Sequence, residues 1–151
     1  MNESKSPEWT ISDLRISKGE TQRKLTHFHH SNWPDFGIPS TTQSLVKFIR
    51  QFRSRVQPYG SPVVVHCSSG AGRAGVFIAL DNLLYQYKDG NYIDVFGTIH
   101  EMRMNRMAMV QTEEQYIYLY RSLAYVIEGK EDDPPPYPGK DSKEIKNSIA
   151  F

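Results

Sequence analysis

Cys67, Gly70, Gly72 and Arg73 supply the residue types for nucleophilic chemistry on an anion. Val63, Val64 and Val65 precede them, a β-branched run that predicts a short buried strand. Val76, Phe77, Ile78, Leu80, Leu83 and Leu84 follow and predict a helix packed on that strand. Between the two, a glycine turn would aim successive backbone N–H groups into one concavity, at the positive end of the helix dipole. That concavity suits a phosphoryl group, and Arg73 adds a planar fork of donors matched to two of its oxygens. The same field acts on Cys67. A free cysteine titrates near ~8.5, and a helix N-terminus with a nearby cation lowers that by several units. The loop therefore offers a nucleophile and an oxyanion cradle together. The bland alternative is an inert cysteine beside an incidental glycine turn; the strand before and the helix after weigh against it.

Two other segments could complete a site. Asn32, Trp33, Pro34, Asp35, Phe36, Gly37, Ile38 and Pro39 form a loop by composition, since two prolines and a glycine bar regular structure. Such a stretch is either a plain connector or a hinged lid. As a lid, Trp33 would anchor it, Gly37 would absorb backbone change and Asp35 would be carried toward the glycine turn. The third segment ends in Gln111, Thr112 and Gln115. Thr112 and Gln115 have capping-box spacing at the start of a last helix. That role does not account for Gln111, a polar residue beside an apolar run.

The elements that must hold these segments can be read in order. Trp9 and Ile11 share one strand parity and Leu14 and Ile16 the other, which predicts two strand pieces joined by a bulge or bend at Ser12 and Asp13. A turn at Lys18, Gly19 and Glu20 and a partner strand from Thr21 to His29 would complete a hairpin. His27 and His29 fall on one strand face and His30 on the other, with nothing to complete a metal set. A helix starts at Thr41 and Thr42, with Leu45, Phe48, Ile49, Phe52 and Val56 inward and Lys47, Arg50, Arg53 and Arg55 as a solvated basic face. Residues 57–62 turn the chain into the central strand. Asp94 caps a helix lined by Val95, Phe96, Ile99 and Met102. In the last helix Tyr116, Leu119, Leu123 and Ile127, or Tyr120 and Ala124, face inward.

Taken together, His66, Cys67, Ser68, Ser69, Gly70, Ala71, Gly72, Arg73, Ala74 and Gly75 resemble the phosphate-binding signature of the tyrosine-specific protein phosphatases. The loop holding Trp33, Pro34 and Asp35 resembles that family's mobile acid loop, and Gln111 and Gln115 match its water-orienting positions. A dual-specificity phosphatase shares the cysteine loop but lacks comparable acid and glutamine segments. The resemblance covers roughly residues 9–129 and implies an α/β fold, a central mixed twisted sheet flanked by helices. It also implies an incomplete domain, with residues 1–130 forming the C-terminal portion of a catalytic domain. Catalysis is expected from Cys67, Arg73, Asp35, Gln111, Gln115 and His66, the last supporting the loop. Substrate contacts are expected from Ser68, Ser69, Gly70, Ala71, Gly72, Arg73 and Trp33. No cofactor and no metal are implied, because amides and arginine neutralise the phosphate. Ala74 departs from the family, which has serine or threonine there, and this implies slower breakdown of a phosphocysteine intermediate. The other outcome is a phosphotyrosine-binding module with weak or no activity.

Composition bounds the remainder. The chain has 151 residues, 18 basic and 17 acidic, so its charge does not point to nucleic acid. Its one cysteine cannot form an internal disulfide and suits a reducing, cytoplasmic setting, or the cytoplasmic side of a membrane for a receptor-type origin. No apolar run approaches the ~20 residues of a membrane span. Residues 131–151 read as a disordered tail. Pro134, Pro135, Pro136 and Tyr137 have the form of a WW-domain ligand, against the simpler reading of an inert linker.

Overall fold

The structure, a computed structural model, describes residues 3–35, 37–56, 62–90 and 92–129. The tail with its proline-rich motif, and most of the expected turn at residues 57–62, lie outside the described residues. Three strands come first: β1 (Glu3–Lys5), β2 (Trp9–Lys18) and β3 (Thr21–His30), paired antiparallel in the order β1-β2-β3. Helices follow: α1 (Thr42–Arg55), α2 (Gly72–Gly90), α3 (Val95–Asn105) and α4 (Glu113–Ile127).

The hairpin is present, and the bulge is not. Pairing runs without a break from Trp9 opposite His30 to Lys18 opposite Thr21. The change of parity has a simpler cause. Ile11 is buried at the end that meets the helices, whereas Leu14 and Ile16 lie where the ribbon extends into the open and need no core face. Gly19 makes the tight turn at a φ of 59°, a conformation that favours glycine. β1 is a short strand that the sequence pattern did not disclose.

The α/β class holds, with helices stacked beside a sheet. The parallel partner that would make the sheet mixed does not form a ladder among the described residues. Residues 63–65 form no strand, with only an isolated bridge at Val63. Val63 and Val65 pack on the core and Val64 is 77% exposed, so the alternation of a strand persists without lengthwise pairing. β-propensity reports fitness for a pleated, half-buried surface; a ladder also needs a neighbour.

α2 is the central element. It packs against α1, α3 and α4 and buries eleven residues, from Gly72 to Leu84. A helix apolar around most of its circumference belongs in a core. α1 covers it with Leu45, Ile49 and Phe52, and Phe48 and Phe52 meet Phe77 at ring separations of 5.9 and 5.4 Å. Trp9 and Phe28 bring the sheet onto Phe48 and Phe52.

Three details differ from the sequence reading, each because a neighbouring helix decides which face is buried. Arg53 is not part of a solvated basic face; it turns inward to Asp81 of α2, its Nε donating to Oδ1 at 2.7 Å. Phe96 is 71% exposed and stacks on His100, while Val95, Ile99 and Met102 are buried. In α4 the buried stripe runs through Gln115, Tyr118, Leu119, Ser122 and Leu123, leaving Tyr120 and Ile127 outside.

Candidate active site

The turn between residue 66 and α2 wraps around one sulfur. Gly70 adopts a φ of 69°, which lets its N–H reach back to Cys67 Sγ at 3.2 Å. Burial pushes the Cys67 thiol up, but hydrogen bonds from the backbone N–H groups of Ala74, Gly70, Ala71 and Ser69 outweigh it and hold the thiol below its ordinary value. The expectation of an amide ring and helix N-terminus around this cysteine therefore has a geometry. α2 begins at Gly72, slightly earlier than the apolar run suggested.

Arg73 joins this loop to the segment that carries the acid. Its Nη2 donates to Ser68 Oγ at 3.1 Å and lies 2.6 Å from Asp35 Oδ1, while Nη1 donates to the Trp33 carbonyl at 3.3 Å. Trp33 anchors its segment as expected: its Nε1 donates to the Gly37 carbonyl at 3.0 Å, and its ring meets His30 edge-on. His30 in turn hydrogen-bonds Ser44 at the start of α1. The acid loop is thus tied at its base and faces the cysteine loop at its tip.

The glutamine segment lies against Gly72. A Cβ at Gly72 would stand 2.7 Å from Gln111 Oε1 and 3.2 Å from Gln115 Nε2, so both amide ends lie close over the loop backbone. The capping box is formed: Thr112 accepts from Gln115 N, and Gln115 Oε1 accepts from the N–H groups of Thr112 and Gln111. Gln115 Nε2 also donates toward the Gly37 carbonyl at 3.4 Å, reaching the acid loop. Gln115 is buried and Gln111 is exposed. The two therefore occupy one place with different freedom. Gln115 ties the glutamine segment to the acid loop, and the exposed Gln111 side chain lies over Gly72.

Ser68 and Ser69 are exposed at the rim, and Ala71 is buried with its carbonyl accepting from Gly75 and Val110. His66, expected as a support for the loop, is exposed and lines the same broad groove as Cys67 and Arg73. The groove, about 1860 Å³, also runs along β2 and β3. His27 and His29 stack face to face, as strand alternation requires. Among the described residues no group of three or more His, Cys, Asp or Glu side chains could hold a metal ion.

Two arginines were missed. Arg103, in the last turn of α3, donates to the carbonyls of Met109 (2.9 Å) and Val110 (2.8 Å). It thereby fixes the backbone just before Gln111, where Val110 is held at a φ of 59°, a strained conformation for a β-branched residue. Arg106 caps the same helix and reaches the cysteine loop, donating to the carbonyls of Gly70 (2.9 Å) and Ser69 (2.8 Å). Their spacing, three apart just ahead of a glutamine segment, was the available signal; carbonyl partners leave no trace in residue types.

A family model described as "Protein-tyrosine phosphatase" matches residues 1–125. Receptor-type tyrosine-protein phosphatase eta of Mus musculus is 41% identical over 131 residues, covering 83% of this chain and 10% of that protein. The Homo sapiens eta protein matches at the same identity and coverage. Phosphatidylinositol phosphatase PTPRQ of Homo sapiens is 35% identical over 128 residues, covering 85% of this chain and 6% of that protein. The chain thus spans about a tenth or less of the length of these relatives.

Proposed function

The chain belongs to the protein-tyrosine phosphatase family, and from that premise we propose that it hydrolyses phosphotyrosine on protein substrates through a phosphocysteine intermediate. The observation that carries the reading is the Cys67 sulfur, held below its ordinary titration range by four backbone N–H groups beside an arginine fork. An anionic sulfur and an arriving dianion repel each other unless fixed dipoles and a cation offset both charges.

In the first step the Cys67 thiolate attacks phosphorus. The bond from phosphorus to the tyrosyl oxygen breaks, and its electron pair leaves with that oxygen. Asp35, in its acid form, delivers the proton that makes the leaving group a neutral phenol. Arg73 and the amides of residues 68–73 hold the equatorial oxygens while charge spreads over them. In the second step water attacks phosphorus, the bond to sulfur breaks and the thiolate returns. Asp35 now accepts the water's proton, with Gln111 orienting the water and Gln115 holding Gln111 and the acid loop in place. Trp33 keeps the acid loop closed, and His66 flanks the nucleophile.

Hydrolysis of an aryl phosphate by this chain and by Cys67→Ser is the direct test. Activity in the native chain and none in the variant is the expected result; activity that survives the serine overturns the nucleophile assignment. Ala74 favours a second reading, a phosphotyrosine-binding module that turns over slowly. In that case vanadate binds and single-turnover kinetics show a trapped phosphoenzyme. A lone free thiol of this character suits a reducing compartment, so a cytoplasmic location, or the cytoplasmic side of a membrane, is part of the proposal. Among the described residues no helix is long and apolar enough to cross a membrane.

A further inference from the structure

We propose that Arg106 is a positioning residue for the Cys67 nucleophile: its guanidinium holds, by their carbonyl oxygens, the same two peptide groups whose N–H ends bind the sulfur. The inference deepens the reading above and rests on it for its consequence in catalysis, though its geometry stands alone. The Ser69 carbonyl and the Gly70 N–H belong to one peptide unit. Arg106 Nη2 donates to that carbonyl at 2.8 Å, and that N–H lies 3.2 Å from Cys67 Sγ. The Gly70 carbonyl and the Ala71 N–H form the next unit. Arg106 Nε donates to this carbonyl at 2.9 Å, and the Ala71 N–H is another of the backbone groups that lower the thiol. One rigid fork therefore stands behind two consecutive peptide dipoles aimed at the thiolate.

Two effects follow. A donor on a carbonyl polarises the amide and strengthens its N–H toward an anion, by ~10–30% per bond in condensed phase. The planar fork also fixes both peptide planes, with Gly70 in its left-handed conformation between them. The fit is close, since a Cβ on Gly70 would stand 3.3 Å from Arg106 Nη2. Lysine, with one compact head, cannot bridge two carbonyls in a fixed geometry. The other charged or titratable groups at the loop are Arg73 with its partner Asp35, and His66 next to Cys67 in the chain. All stay unchanged in the variants below.

The test titrates the sulfur without any substrate. Iodoacetamide reacts with the thiolate, and this chain has a single cysteine, so the alkylation rate against pH reports one group. Native protein, Arg106→Lys and Arg106→Met are compared in parallel with urea unfolding to verify the fold. The expected result is a midpoint raised by about one unit in Arg106→Met, a tenfold loss of thiolate on the acid side, with Arg106→Lys between. A midpoint unchanged in a folded Arg106→Met overturns the proposal. Should Arg106→Met fail to fold, Arg106→Lys decides alone: a raised midpoint supports the relay and an unmoved one overturns it. Failure of aryl phosphate hydrolysis in the native chain would count against the phosphatase reading and leave this titration intact.

Discussion

Asp35 Oδ1 lies 2.6 Å from Nη2 of Arg73, so the proposed proton donor occupies the fork that the phosphoryl group needs. The Asp35 side chain is 72% exposed. An arriving dianion would displace it from Arg73, and the freed carboxyl, on taking up a proton, meets the leaving oxygen as an acid. Asp35→Ala should then have two opposite effects. Turnover of phenyl phosphate should fall by about 10²-fold or more through loss of the general acid, with a smaller fall for nitrophenyl phosphate, whose leaving group needs less help. Vanadate should bind at least as tightly as to the native chain, because a competing carboxylate is gone. Steady-state kinetics with both esters and a vanadate titration check this; an equal loss on both esters with weaker vanadate would sink it.

Asp81 and Arg53 offer a test in stability. Burial raises the Asp81 carboxyl above its ordinary value, against the hydrogen bonds and charge of Arg53. With a raised value in the folded state, the folded chain keeps the proton to higher pH than the unfolded chain does. Stability therefore declines as pH climbs from the ordinary carboxylate range through the raised one. Arg53→Met removes what opposes the rise and leaves a carboxylate only 2% exposed without that partner. The expected loss is about 3–5 kcal/mol at pH 8, and less at pH 5, where Asp81 can take up a proton. Urea unfolding at the two pH values measures it, and equal losses would contradict this account.

The parts of the site legible in the sequence are those whose geometry is written into a few adjacent residues. Gly70 between Cys67 and Arg73, Asp94 ahead of α3, and Thr112 with Gln115 each satisfy local backbone groups, and local spacing is what residue order records. That Trp33 anchors a loop was legible for the same reason, through the prolines beside it. What stayed hidden depends on elements distant in the chain. The inward turn of Arg53 depends on Asp81, 28 residues on, and the burial of Tyr118 goes with its hydroxyl donating to the Thr41 carbonyl. Arg106 acts on carbonyls, which every residue has. The false bulge in β2 came from treating all of a strand as core-facing when only its first part meets the helices.

Ala74 is buried, and its N–H is one of the groups that lower the Cys67 thiol. A hydroxyl there could donate a further charge-assisted bond to the sulfur as it leaves phosphorus. Ala74→Ser should speed phosphoenzyme breakdown by about tenfold, the equivalent of roughly 1.4 kcal/mol. Ala74→Thr should do the same less a packing cost of about 1 kcal/mol in stability for the added methyl. Single-turnover experiments separate the steps: the burst should keep its rate while the following phase quickens. Unchanged rates in both phases would remove Ala74 from the explanation.

Gln111 and Gln115 should part company when each is replaced by alanine. Gln115 is buried, accepts from the N–H groups of Gln111 and Thr112, and reaches the Gly37 carbonyl, so its loss breaks the cap of α4 and loosens the acid loop. Gln115→Ala should cost about 1–2 kcal/mol in unfolding free energy and slow both steps, since both use Asp35. Gln111 is exposed, and its side chain stands over Gly72 beside the anion cradle. Gln111→Ala should leave stability within about 0.5 kcal/mol and slow only the hydrolysis of the intermediate. Urea unfolding together with burst kinetics on an aryl phosphate reads both quantities in each variant. A Gln111→Ala chain that loses the first step as much as the second would show that this side chain holds the loop, as Gln115 does, and that the water is oriented by something else.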